Sequence, residues 1–190
     1  MGRLHPEKGV HVLVEAFSRV AAGNPGWSLR VVGPHAESQG GGGEAFLREL
    51  VRLAAGHDVR FEGPVFDRAS LAALYRAACL FCYPSLAEQG EAFGLAPLEA
   101  MACGVAPLVS RLSCFDDFIE DGRTGWRFDH RAADPAGSLA GVLAGLINDE
   151  ARLEGAGRLA HESATRFSYG AVARRYLEDF HSLVGNEATR

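Results

Sequence analysis

Two glutamates with seven residues between them, Glu91 and Glu99, stand in the segment YPSLAEQGEAFGLAPLEAMACG, residues 83–104. The segment reads as a strand end, a polar glycine-containing loop, and a helix starting near Leu95 with Pro97 in its first turn. A helix start with Gly94 just ahead of it offers free backbone N–H groups and the positive end of the helix dipole, which suits phosphate. Neither acid would face the phosphate itself, because like charges repel. A carboxylate can instead accept paired hydrogen bonds from vicinal hydroxyls, so one acid suits a ribose and the other a sugar. Glu99 lies in the otherwise apolar stretch 95–101, where an idle acid would be costly to bury unpaired.

The opening GRLHPEKG adds Arg3 and Lys8 in a loop before another helix. A diphosphate must have its charge held, and that charge grows as a bond to it breaks. Arg supplies a fork of donors and Lys a point charge, both suited to that group. Taken singly, these two residues would read as solvated charges near a terminus; beside the Glu-x7-Glu pair they read as an anion site. Weaker candidates carry less. His35, in GPHAESQG, reads more simply as a loop surface residue, as do His5 and His130. Thr124 reads as a turn residue before a strand. Cys79 and Cys82 have CxxC spacing, yet CLFCYP reads as a buried strand and no second ligand pair exists, so a structural role is preferred to metal or redox chemistry. The run from Gly40 to Gly43 is expected to be a mobile loop, since no Lys-Ser/Thr follows it as in a phosphate cradle.

The elements that must position these residues follow a βα rhythm. Residues 8–22 carry Val10, Leu13, Val14, Phe17 and Val20 at helical spacing, ended by Asn24-Pro25-Gly26. Strands are predicted at 27–32, 59–62, 80–83, 106–109 and 125–128, with helices over 44–55 and 68–78 and a helical turn around 115–120. Asp134-Pro135 reads as an N-cap with proline at the first helical position, and Ser168 as the cap of a last helix faced by Val172, Tyr176, Phe180, Leu183 and Val184. Length and composition agree with one soluble globular domain: 190 residues, 47% apolar, 23% charged and 23 glycines. A net charge of -5 argues against a general nucleic-acid surface. With no apolar leader and no run of about 20 apolar residues, a cytoplasmic location is expected, peripheral membrane attachment of a longer enzyme being an alternative.

Four motifs in order, GRLHPEKG, VRFEGPV, FGLAPLEAMACG and DGRTG, resemble the C-terminal domain of glycosyltransferase family 4, and the resemblance covers nearly the whole chain. It implies an α/β fold, the Rossmann-like doubly wound parallel sheet of a GT-B C-terminal lobe, over residues 1–166, with a helix over 167–190 crossing back toward an N-terminal lobe. It implies that Arg3 and Lys8 bind the donor diphosphate, Glu99 the ribose, and Glu91 with the backbone of Phe93, Gly94 and Leu95 the transferred sugar. The loop from Gly63 to Val65 would take the nucleobase. The activity implied is retaining transfer of a hexose-type sugar from a nucleoside diphosphate sugar to a glycan, lipid or small-molecule acceptor, with no dinucleotide cofactor and no metal.

Two departures from the family pattern bear on the site. The family commonly places its first Glu where this chain has Glu88, followed here by an extra Gln-Gly-Glu. Registering on Phe93 and Gly94 selects Glu91, since loop length varies more cheaply than helix register. Ser113 and Cys114 fall where many relatives carry two glycines, and Asp117 where they carry Glu. In relatives an apolar strand precedes the first motif, so the first strand of the sheet and the N-terminal lobe are both expected to be missing, leaving the isolated chain with little transfer activity. The rival readings are a non-catalytic nucleotide-binding module or truncated gene product and, behind it, a glycoside hydrolase using Glu91 and Glu99.

Overall fold

The computed structural model describes residues 1–187, with side chains through Val184. Its opening does not form the single helix expected from residue 8. A 3-10 turn, Pro6–Lys8, is separated from α1, Val10–Ala21, by Gly9 in the left-handed region at φ 64°, ψ 20°. Any side chain at Gly9 would be driven into the carbonyl oxygen of Pro84. The start of α1 is therefore pressed against the end of the strand that leads to the Glu91 loop, and Lys8 stands just ahead of that contact.

From there the chain runs β1 (Leu29–Val32), α2 (Gly43–Leu53), β2 (Val59–Glu62), α3 (Arg68–Arg76), β3 (Phe81–Tyr83) and α4 (Leu95–Ala102). It continues as β4 (Pro107–Ser110), β5 (Trp126–Phe128), α5 (Pro135–Ala144), α6 (Glu150–Ala164) and α7 (Tyr169–Glu187). The predicted strands stand within a residue or two of these bounds. The glycine run forms a hydrogen-bonded turn at the start of α2. Gly42 N–H donates to the Leu4 carbonyl at 2.8 Å and Gly43 N–H to that of His35 at 2.8 Å, so the backbone closes a compact turn that delivers α2.

All strand pairs are parallel, in two pieces: β1 beside β2, with Leu29 opposite Val59, and β3-β4-β5, with Tyr83 opposite Val109 and Val109 opposite Arg127. Neighbouring residues of β4 serve opposite cores, as alternation along a strand requires. Leu108 packs with Leu13, Trp126, Phe128, Leu139 and Leu143 on one face. Val109 packs with Tyr75, Phe81, Met101 and Phe115 on the other. A third cluster, Leu4, Val14, Val31, Phe46 and Leu50, sits under β1. Helices thus cover both faces, the doubly wound arrangement.

Between β1 and β3 lies a cavity of about 790 Å³ lined by residues 26–32 and 74–84. Residues 1 and 2 reach one end of it, where Gly2 N–H donates to the Val32 carbonyl at 3.1 Å beside the ring of Tyr83. The sheet is therefore interrupted at the position expected for its first strand.

Candidate functional site

The parallel order brings the C-terminal ends of β1 and β3 to one edge, and the loops beyond them meet there. Gly94 caps α4 at φ 79°, ψ 68° with no side-chain hydrogen bond to the helix start. A Cβ there would strike the Phe115 ring, so the loop enters α4 over a buried aromatic and the first-turn N–H groups are left without a side-chain cap.

Glu91 is the most heavily partnered acid of this edge. Its carboxylate accepts from Lys8 Nζ at 2.8 Å, Ser85 Oγ at 2.9 Å and the Tyr83 hydroxyl at 3.1 Å. The side chains of Lys8 and Glu91 are only 13% and 10% exposed, so this ion pair is largely out of water. Lys8 Nζ also stands 5.9 Å from the Tyr83 ring centre. A carboxylate shielded in this way keeps its orientation, and its remaining lone pairs are free to receive hydroxyl donors.

Glu99 differs. It is exposed rather than buried in its apolar stretch, because the residue sits on the open side of α4, and the Tyr75 hydroxyl donates to it at 3.0 Å. The argument from the cost of burying an idle acid therefore does not hold for this residue. Tyr75 and Tyr83 bracket Phe81, with ring centres 5.3 and 6.3 Å apart, so each carboxylate is held by a phenol at one end of an aromatic row. Burial, and then the neighbouring Glu99 or Glu91, pushes both phenols above their ordinary range, which keeps them protonated donors. Tyr75, Tyr83 and Ser85 were not legible as site residues: their signal was apolar strand and helix pattern, and only the packing turns their hydroxyls to the acids.

Arg3 is about half exposed. Its guanidinium donates to Glu7 at 2.9 Å and to the Gly40 carbonyl at 3.0 Å, and with Lys8, Tyr83 and Pro84 it borders the cavity beside β1 and β3. Phe93 packs on Phe118 and Phe167, at 5.1 and 5.7 Å between ring centres, so it is wall, while Leu95 is 67% exposed at the helix start. Gly63 and Val65 follow β2 at the same edge of the fold, and no hydrogen bond among the described residues ties them to Arg3, Lys8, Glu91 or Glu99. Glu88 turns away from Lys8, toward His130 and Arg131. The Cys82 thiol is pushed up to about 12 by burial, which leaves it a protonated wall residue.

The family model for glycosyl transferases group 1 matches residues 1–162. The chain is 32% identical over 180 residues to a phosphatidyl-myo-inositol mannosyltransferase of Mycolicibacterium smegmatis, covering 95% of this chain and 43% of that protein. It is 35% identical over 184 residues to a D-inositol 3-phosphate glycosyltransferase of an Arthrobacter species, covering 96% and 42%. Among solved structures it matches sucrose-phosphate synthase from Thermosynechococcus elongatus with a TM-score of 0.81 at 26% identity, over 98% of this chain and 45% of that one. It also matches Anabaena HepE in complex with UDP and glucose, with a TM-score of 0.77 at 24% identity, over 95% and 47%. The chain thus spans less than half the length of each of these four proteins.

Proposed function

The chain belongs to the glycosyl transferases group 1, and from that membership we propose that it is the donor-binding half of a retaining GT-B glycosyltransferase of family 4. The substrate is a nucleoside diphosphate sugar carrying a hexose. The acceptor, a glycan, a lipid or a small molecule, is handled with the help of an N-terminal lobe. The observation that carries this reading is the pair Glu91 and Glu99 around an uncapped helix start, with Lys8 bonded to the first of them.

In this reading Lys8 and Arg3 hold the diphosphate against the start of α4, Glu99 accepts the ribose hydroxyls, and Glu91 accepts hydroxyls of the transferred sugar. The loop from Gly63 to Val65 takes the base, and the backbone from Phe93 to Leu95 faces the sugar. The bond between the anomeric carbon and the diphosphate oxygen breaks with its electron pair going to the diphosphate. The acceptor hydroxyl oxygen bonds to that carbon and passes its proton to the departing diphosphate oxygen. Negative charge grows on the leaving diphosphate, so the two cations act most strongly in the transition state. The reading needs no metal or dinucleotide cofactor. HepE, of like fold, is described in complex with UDP and with glucose, and the relatives above are described as glycosyl- and mannosyltransferases, which favours this donor class.

Calorimetry with UDP-glucose, UDP-N-acetylglucosamine and GDP-mannose, each beside its diphosphate and its nucleoside, tests the proposal. At least one diphosphate is expected to bind about tenfold or more tightly than its nucleoside. Absence of binding by all of them would overturn it.

A further inference from the structure

The connection from β3 to α4 carries two glutamates three residues apart that turn to opposite sides. Glu91 enters the cage of Lys8, Tyr83 and Ser85. Glu88 reaches the β5–α5 connection instead, accepting from His130 Nε2 at 2.9 Å and Arg131 Nη2 at 2.7 Å. Arg131 spends its other terminal nitrogen on the Arg111 carbonyl, 3.1 Å away and just past β4, so one guanidinium ties three segments. The His130 side chain is 3% exposed and its Nδ1 has no partner. Facing the Glu88 carboxylate, which can only accept, Nε2 is the donor of this bond. Arg131 and then His130 hold the Glu88 carboxyl below its usual range, as charge-assisted donors do.

Upstream, the loop is pinned by Leu86 N–H on the Glu7 carbonyl at 2.7 Å and by Ser110 Oγ on the Ser85 carbonyl at 2.6 Å. Downstream, Phe93 is packed. Between Glu88 and Glu91 stand only Gln89 and Gly90, both exposed. Glu88 is thus the last tethered side chain before the exposed tip, and its segment is where the chain departs from the family's loop length. We propose that Glu88 is a positioning residue for the sugar side of the site: clamped by His130 and Arg131, it fixes the loop path that lays Glu91 against Lys8. It governs recognition of the transferred sugar more than of the diphosphate: Glu91 bonds Lys8, but Lys8 and Arg3 are carried by a separate loop that the Glu88 side chain does not touch. The assignment to the sugar rests on the role proposed above for Glu91; the clamp itself does not.

Nitrogen-15 relaxation of the chain, with Glu88→Gln and Arg131→Met variants, reads the clamp directly. Order parameters over residues 89–93 are expected near ~0.85 in the wild type and below ~0.6 in both variants, with the strands and the melting temperature unchanged. Equal values in wild type and variants would show that the clamp positions nothing. Calorimetry reads the consequence. The sugar nucleotide that binds the wild type, UDP-glucose or GDP-mannose, is expected to lose about tenfold in the variants while UDP or GDP loses markedly less. Equal losses for sugar nucleotide and diphosphate would overturn the sugar-side role in favour of a merely structural one. If the wild type binds neither sugar nucleotide, the donor reading falls, and the order parameters still decide the clamp.

Discussion

Lys8 and Arg3 belong to one loop but stand in different surroundings, and substitution separates them. Lys8 is the only cation on the nearly buried Glu91 carboxylate among the described residues, so Lys8→Met leaves that charge to two hydroxyl donors. A loss of up to about 3 kcal/mol of stability is expected, read as a shift in the denaturant midpoint, and Glu91→Gln on the same background should restore part of it. Arg3 is exposed and paired only with Glu7 and a carbonyl, so Arg3→Ala should leave stability within about 0.5 kcal/mol. Both changes should weaken nucleoside diphosphate binding about tenfold and nucleoside binding far less; equal losses by calorimetry would remove them from the diphosphate. Glu99, exposed and held by one phenol, allows a cleaner test. Glu99→Gln should weaken ribonucleotides and spare 2′,3′-dideoxy analogues, and a like loss for both analogues would make it structural.

At the scale of elements, the pairing of α1 with α5 decides how firmly Lys8 is presented, because only Gly9 separates it from α1. Asp134 caps α5 through the Gly137 N–H at 2.9 Å and pairs with Arg19 of α1 at 2.5 Å, so one carboxylate fixes a helix start and a helix contact. Asp134→Ala is expected to lower the melting temperature by about 2–4 °C at pH 7. Arg19, and then the Gly137 amide, hold the Asp134 carboxyl below its ordinary value of 3.8. A depressed folded-state pKa gives stability that is present above the unfolded value and lost as pH falls through the folded one. The gap between wild type and variant should therefore close below about pH 4, seen in melting curves at pH 7, 4 and 2.5; a gap that stays constant would show that the charge is not its source.

For the whole molecule the interrupted sheet sets the order of local stability. Within the described residues β4 is paired on both sides, whereas β1 and β3 each have one strand partner and face the cavity with the other edge. Amides of β1 and β3 are expected to exchange faster than those of β4, Pro107–Ser110 excepting the proline, in hydrogen-exchange mass spectrometry. Uniformly slow exchange in a monomer would show that the two pieces behave as one closed sheet. The apolar stripe of α7, with Tyr176, Phe180 and Leu183 each more than half exposed, adds a second unpartnered surface on the helix that the sequence reading sends toward another lobe. Of the helix expected over 167–190, residues 188–190 lie outside the described residues.

What the sequence determined by itself was whatever depends on local pattern. The βα rhythm, the Asp134 and Ser168 caps and the Glu-x7-Glu spacing around α4 are one-dimensional signals: periodicity, cap chemistry and a fixed count of residues. The choice of Glu91 over Glu88 as the first Glu of the motif rests on the resemblance, by registering on Phe93 and Gly94, since loop length varies more cheaply than helix register. Tertiary structure alone decided the rest. Only the packing of Tyr75, Phe81 and Tyr83 hands a phenol to each acid, only the parallel order brings Lys8 across 83 residues to Glu91, and only the β5–α5 connection shows where Glu88 goes. The exposure of Glu99 and the hydrogen bonds of the glycine turn at 40–43 escape the sequence for the same reason. Burial and hydrogen bonding are set by what a segment meets in space, and hydropathy along the chain does not encode which face of a short helix, or which carbonyl of a distant loop, that will be.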